Sequence, residues 1–177
     1  SMIVPDVKSY KNLYIFILSH PQNNSNVIAE ILSRINYLDK MTRDVTFVMP
    51  GYKRAEKSDD ICNATDHNLQ LTFDESIFID IVQDLENKSN GKFVYYDECE
   101  LLVVGMTADG NYDFGNYARL NLNELSNRIH IDAVRLIMSL AQDFGFNLNE
   151  GINIKEHVYG LLKNIKRIHY RPITKVF

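Results

Sequence analysis

The sequence has few of the residues that build disulfide frameworks, zinc sites or membrane spans. Its two cysteines, Cys62 and Cys99, are too few for a disulfide framework and cannot by themselves supply four zinc ligands. The longest apolar run, residues 13–18, is far shorter than the roughly 20 residues that cross a bilayer. We therefore expect a soluble, cytoplasmic protein with reduced thiols, no metal and no membrane contact.

Signatures of common catalytic sites are also absent from the sequence. It contains no GxxxxGKS/T phosphate loop, no GxGxxG after a strand, no GxSxG and no HExxH. Residues 21–24, at the start of the first predicted helix, read Pro-Gln-Asn-Asn, whereas a redox enzyme of the thioredoxin type needs a reactive cysteine there. The pattern favours a non-catalytic protein without a cofactor.

Length and charge predict one domain with an unevenly charged surface. The 177 residues, of which 45% are hydrophobic, suit a single domain over 1–177. We expect Ser1 to be a remnant of tag removal, with no signal peptide after it. The net charge of −4 divides into +5 for residues 155–177, with six basic residues and one acid, and −9 for the remainder. The body should repel nucleic acid, whereas the predicted basic helix and tail over 154–177 would attract an acidic partner.

Hydrophobic periodicity predicts nine elements in the order β-α-β-α-β-β-β-α-α. Thr72 and Glu75 have the spacing of a capping box, which would begin the second helix. The remaining apolar patterns alternate like strands or recur at helical spacing. Strands are predicted at 13–18, 45–49, 93–96, 100–106 and 117–122, and helices at 26–39, 74–88, 132–144 and 154–168.

This order predicts an α/β fold, in which helices flank a mixed, partly parallel β-sheet. The first strand, helix and second strand are expected to form a right-handed parallel unit. The order resembles that of a thioredoxin-like fold with an added strand. A flavodoxin-like or TIR-like parallel sheet is the alternative, but residues 96–100 are too few for the additional helix that it requires.

Two polar loops mark the predicted ligand-binding edge of the sheet. Ligands of open α/β sheets usually bind beyond the carboxyl ends of parallel strands, and the loops at 19–25 and 50–70 leave two such ends. The second loop is unusually long, which is often a sign of function, although both loops would also fit an ordinary solvated surface. The candidate ligand-binding residues are Ser19, His20, Asn23, Tyr52, Lys53, Arg54, Asp66 and His67.

Catalytic or metal-binding interpretations of these loops have weaker support. His20 is either a general base or a turn residue, and no nucleophile or carboxylate stands at a diagnostic spacing from it. The spacing of Cys62 and His67 is not that of a zinc site. Residues 97–100 are rich in acids, but neighbouring strand residues alternate faces and cannot all reach one Mg²⁺ ion. We expect this acidic cluster to be a solvated turn.

The sequence therefore predicts a non-catalytic bacterial binding or signalling module that recognises a small anionic ligand or a protein partner. Its composition, rich in Asn and Ile, suggests an AT-rich bacterial genome, in which such a module would serve a defence or stress-response operon. Lys163, Lys166 and Arg167 are the predicted partner-binding residues. One alternative is an enzyme for a nucleotide or NAD-like substrate at the same edge. The other is an oligomeric scaffold that pairs through the edge strand at 117–122.

Overall fold

The computed structural model describes most of the predicted sheet and two of the predicted helices. The described residues are 8–22, 44–54, 71–122 and 151–169, together with the single positions 31, 137, 139 and 142. The predicted helices at 26–39 and 132–144 therefore lie outside the described residues, apart from those single positions. Ile31 and Ile137 are helical and fully buried in the hydrophobic core.

Six strands and two helices lie within the described ranges. The strands are β1 (Asn12–Leu18), β2 (Val45–Val48), β3 (Tyr52–Arg54), β4 (Leu71–Phe73), β5 (Glu100–Met106) and β6 (Tyr112–Asn121). The helices are α1 (Glu75–Lys88) and α2 (Ile154–His169). The predicted strands at 13–18, 45–49 and 100–106 and the predicted helices at 74–88 and 154–168 are confirmed to within one residue at each end. Neither of these two helices is both long and apolar enough to cross a membrane.

The main sheet is mixed, with one parallel and two antiparallel pairs. Its four described strands lie in the order β2-β1-β5-β6. Strand β1 is parallel to β2 and antiparallel to β5, and β5 is antiparallel to β6. Strands β3 and β4 form a separate two-stranded antiparallel sheet. These findings confirm the predicted mixed, partly parallel sheet of an α/β fold.

Strand β1 is apolar along its length because both of its faces are covered. Leu13, Ile15 and Ile17 are fully buried in one hydrophobic cluster. Phe16 and Leu18 are buried in a second cluster on the opposite face. A strand buried on both faces needs a continuous apolar run rather than an alternating one, which is the pattern found here.

Each face of the sheet is covered by one of the two described helices. Helix α1 buries Phe78, Val82 and Leu85 in the cluster that contains Phe16 and Leu18 of β1. Helix α2 buries Ile154 and Val158 in the opposite cluster. The described residues thus form three layers, helix on sheet on helix, and the edge where β1 ends lies beside α1.

The prediction of a strand at 93–96 is wrong. Residues 93–96 have no strand partner within the described part of the chain, and their backbone groups bond to side chains instead. The amide of Phe93 donates to the hydroxyl oxygen of Ser89 at 3.0 Å. The carbonyl of Val94 accepts from the guanidinium of Arg119 at 3.0 Å. Side chains brought in by the fold thus satisfy backbone groups that a neighbouring strand would otherwise have to satisfy.

Two other local predictions need correction. Thr72 does not cap the second helix, because it lies in β4 opposite Lys53. The cap is Asp74, whose carboxylate accepts from the amide of Ile77 at 3.2 Å. The last strand is also longer than the predicted 117–122, since β6 begins at Tyr112 and contains a bulge opposite the stretch from Val103 to Gly105.

Candidate functional site

Part of the predicted ligand-binding edge is assembled where β1 ends. Ser19 is fully buried, and its hydroxyl donates to the backbone carbonyl of His20 at 3.0 Å. The phenol of Tyr52 donates to the backbone carbonyl of Ser19 at 3.1 Å. The structure therefore brings together Ser19 and His20 from the first loop and Tyr52 from the second.

A tight turn at Gly51 places Tyr52 at this edge. Gly51 has φ of +82°, and a Cβ atom there would lie 2.7 Å from the ring of Phe73. Its carbonyl also accepts from the amide of Asp74 at 2.7 Å, which joins the turn to the cap of α1. A residue other than glycine would be strained and would collide with Phe73, so the sequence Pro50-Gly51 serves a purpose beyond ending β2.

The other predicted site residues are farther from this contact or outside the described residues. Lys53 is more than half exposed, and its ammonium lies 3.8 Å from the carboxylate of Asp74. Lys163 is exposed on α2. Arg54 ends β3, and Lys166 and Arg167 belong to α2, but the side chains of these three lie outside the described part, as do residues Asn23, Asp66 and His67 altogether.

The reactive groups at the end of β1 are held in their protonated forms. Burial, with a smaller contribution from Cys99, raises the pKa of Tyr52 to about 12. Burial also raises the pKa of the Cys99 thiol, although a hydrogen bond with Ser19 opposes this. Neither group is an anion at neutral pH, and Ser19 already donates its proton to a carbonyl. Among the described residues, no group of three or more His, Cys, Asp or Glu side chains could hold a metal ion.

An open groove of about 320 Å³ lies beside His20, between α1 and residues 95–97. This volume is at the lower end of the range for small-ligand sites, which is about 300–1,000 Å³. Aromatic and aliphatic side chains dominate the lining, and a few polar groups converge on it. The lining residues are His20, Phe78, Ile79, Val82, Gln83, Glu86, Tyr95, Tyr96 and Asp97.

His20 is wedged between aromatic rings and a carboxylate at one end of the groove. The centroid of its imidazole lies 4.4 Å from that of Phe78 and 5.5 Å from that of Phe73. Its Nε2 atom lies 3.4 Å from Oδ1 of Asp97. Asp97 has φ of +60°, a backbone conformation that is uncommon for residues other than glycine and that clusters at functional sites.

The wall of the groove at Tyr95 is attached to α1. The backbone amide of Tyr95 donates to the carboxylate of Glu86 at 3.3 Å. Its phenol donates to the carbonyl of Glu98 at 2.7 Å. Burial, followed by the nearby charge of Asp97, raises the pKa of Tyr95 far above its usual range. Tyr95 is therefore a neutral hydrogen-bond donor that is already engaged, which suits a wall better than a reacting group.

Arg119 supports the outer end of the same wall. Its guanidinium makes two contacts with the carboxylate of Glu100, at 2.6 and 2.9 Å. The guanidinium also lies over the rings of Phe93 and Tyr96, 4.9 and 5.4 Å from their centroids. Burial raises the pKa of Glu100, and the adjacent Arg119 opposes that shift. The buried carboxylate of Glu100 thus holds a guanidinium that lies over Tyr96 at the rim of the groove.

The sequence interpretation missed most of this groove. The predicted solvated turn at 97–100 is confirmed for Asp97 and Glu98, which are exposed, but Cys99 and Glu100 are buried, and the contact of Asp97 with His20 was not predicted. Glu86 was hidden in a regular amphipathic helix. The available signal was the pair Tyr95-Tyr96, because tyrosine is enriched at interaction surfaces.

The groove offers aromatic surface, one imidazole and two carboxylates to a ligand, at the edge where ligands of α/β sheets usually bind. Such a set can bind and orient a molecule by stacking, hydrogen bonding and charge. These residues and their geometry are the basis for the function of the groove. No protein-family model, no curated protein and no solved structure matches this chain.

Proposed function

We propose that this chain is a non-catalytic module that binds its ligand in the groove beside His20. The groove itself is the observation that carries this proposal. It is concave, mostly apolar and lined by a few convergent polar groups, which is the composition of small-ligand and peptide sites. It also lies at the carboxyl end of β1, where the sequence predicted a ligand to bind.

The protonation of the nearby side chains supports binding over catalysis. A nucleophile or general base works best when its pKa lies near the working pH. The pKa values of Tyr52 and Cys99 are instead moved away from neutrality by burial. Burial moves the pKa of Tyr95, in the groove wall, in the same direction.

An enzyme acting on a nucleotide or NAD-like substrate is the second candidate. The observation in its favour is the approach of His20 to Asp97, since a carboxylate beside an imidazole can orient it as a general base. Incubation with ATP and with NAD, followed by mass spectrometry of the products, tests this candidate. Turnover by the wild type that is lost in His20→Ala would support the enzyme and contradict the non-catalytic proposal.

The thioredoxin-like arrangement is proposed for the whole chain. Its support is the order β2-β1-β5-β6 of the four described strands, in which β5 runs opposite to the other three. The reversed strand β5, which lies between β1 and β6, disfavours the flavodoxin-like or TIR-like alternative, because such sheets are mostly parallel. The single-domain organisation, the cytoplasmic location, oligomer formation and the signalling or defence role stay predictions from the sequence.

The binding proposal is tested with small fragments and with a substitution that fills the groove. A library of neutral, cationic and anionic aromatic fragments is screened on the full chain by the shifts of its backbone amide signals. We expect the binding fragments to shift the amides of residues 79–86 and 95–97. Gln83→Trp places a large ring in the groove and should weaken these fragments at least about tenfold, which corresponds to roughly 1.4 kcal/mol.

Asp80→Trp is the matched control, because Asp80 is exposed on the same helix but does not line the groove. This variant should bind the fragments like the wild type. If both substitutions weaken fragment binding equally, or if fragments shift only amides outside the groove, the proposal is contradicted.

A further inference from the structure

Exposed apolar side chains lie at the groove and near it in the sequence. Four large hydrophobic residues stand exposed among the described residues, and two of them, Ile79 and Tyr96, line the groove. A third, Val94, lies two residues before Tyr96. Tyr96 is the most exposed of the four, at 68%. Exposed apolar side chains at the rim of a groove are typical of interaction surfaces.

The charge on the groove is negative overall. Glu86 and Asp97 contribute two carboxylates, against the single imidazole of His20. The hydrogen bond that Glu86 accepts comes from the neutral amide of Tyr95, so it leaves the negative charge in place. An anionic ligand would be repelled here, whereas a cationic group would be attracted at short range.

The protein already binds one cation in this way next to the groove. The guanidinium of Arg119 lies over Phe93 and Tyr96 while Glu100 binds it through both oxygens. Aromatic rings and a carboxylate together bind guanidinium groups well, because the ring faces are electron-rich and the carboxylate matches the fork of donors. The groove presents the same combination, with Tyr96 shared between the two places and Glu86 in the role of the carboxylate.

We infer that the groove is the docking site of a protein partner, into which a Lys or Arg side chain inserts while flanking apolar residues cover Ile79 and Tyr96. This inference rests on the proposed binding function and names the chemistry of its partner. The body of the chain outside residues 155–177 carries a net charge of −9, which favours the approach of a basic segment. Arg beside aromatic residues is also a typical anchor of protein interfaces.

A display library of linear twelve-residue peptides provides the probe. It is selected on the full chain and counter-selected on Gln83→Trp, so that only peptides dependent on the groove are kept. We expect these peptides to share a Lys or Arg with apolar neighbours. Replacing that Arg by the neutral citrulline, or that Lys by norleucine, should weaken binding to the wild type on the order of tenfold.

The carboxylates are tested with variants that keep their shape. Glu86→Gln preserves an oxygen that can accept from Tyr95, and Asp97→Asn suits a left-handed backbone at least as well as aspartate does. In the double variant, the original and the citrulline peptide should bind with affinities within about twofold of each other. Asp80→Asn is the matched control, and it should retain the full preference for the cation.

Each outcome separates the two proposals. Groove-dependent peptides without a basic residue, or a cation preference that survives in the double variant, would overturn the partner chemistry and leave the binding function standing. Selection that yields no groove-dependent peptide would count against this inference, and if the fragments also fail to bind, the binding function falls with it. Thermal unfolding of each variant confirms that it folds.

Discussion

Tyr52 shows at the residue scale how burial sets what a side chain can do. Its phenol would be a potential acid or base on an exposed loop. Within the fold it bonds to the carbonyl of Ser19, and burial raises its pKa to about 12. The hydroxyl therefore acts as a fixed donor that joins β3 to the end of β1.

Tyr52→Phe should lower the stability of the protein by about 1 kcal/mol at neutral pH, because the carbonyl of Ser19 loses its donor. The pH dependence gives a sharper test. In the unfolded chain, tyrosine ionises near pH 10, whereas folded Tyr52 keeps its proton up to about 12. The wild type should therefore lose this contribution as the pH rises from roughly 10 towards 12.

Urea unfolding of the two proteins between pH 8 and pH 12 measures this difference, and we expect it to close and then reverse across the upper half of that range, because a rise in the pKa of Tyr52 from about 10 to about 12 outweighs about 1 kcal/mol. Tyr159→Phe, at an exposed position of α2, is the control, and its stability should equal that of the wild type at every pH. A gap that stays constant from pH 8 to pH 12 would show that the ionisation of Tyr52 is not linked to folding.

At the scale of elements, the segment 92–96 is stabilised by side chains rather than by a partner strand. Ser89 is buried, donates to the carbonyl of Glu86 at 2.7 Å and accepts from the amide of Phe93. The phenol of Tyr117 donates to the carbonyl of Lys92 at 2.8 Å. These bonds attach the segment to α1 on one side and to β6 on the other, and so they shape the wall of the groove.

Ser89→Ala should cost about 1–3 kcal/mol, because it leaves the buried amide of Phe93 without a partner. The loss should be visible in equilibrium unfolding. In hydrogen-exchange measurements on the Ser89→Ala variant, the amides of Phe93 and Tyr95 should lose protection while the amides of β5 keep theirs, since the segment 92–96 can open locally. Ser9→Ala, at an exposed serine, should shift stability by less than about 0.5 kcal/mol. Unchanged protection of Phe93 in the Ser89 variant would contradict this account of the wall.

At the scale of the whole molecule, β1 joins the two faces of the core. It lies between β2 and β5, and Ile15 is opposite Phe47 on one side and Val103 on the other. Helix α1 covers one face of this strand, and α2 covers part of the other. A change in the middle of β1 therefore acts on the entire described core.

Ile15→Asp should unfold the protein. Ile15 is fully buried, and an unpaired charge there costs several kcal/mol, on the order of the total stability of a domain. Circular dichroism and thermal melting give the measurement. Ile79→Asp makes the same chemical change at a largely exposed position and should leave a folded protein. A cooperatively melting Ile15→Asp variant would show that β1 is not central to stability.

The sequence by itself determined the elements whose pattern is local. The apolar run at 13–18 is short and rich in strand-forming residues, which favours a strand buried on both faces, and the residues at 75–88 repeat at helical spacing whatever surrounds them. Their bounds were therefore predicted to within one residue. The mixed sheet is confirmed, but it was predicted from a short connection after a strand at 93–96, and those residues are not a strand.

Only the tertiary structure decided the conformation of residues 93–96 and, with it, the groove. The sequence there has the composition of a strand, but Arg119 and Tyr117, more than twenty residues away, supply the bonds that a strand partner would have made. No local pattern records such distant contacts. For the same reason His20 and Asp97, which are far apart in the chain, could not be paired from their spacing, although the fold places them 3.4 Å apart.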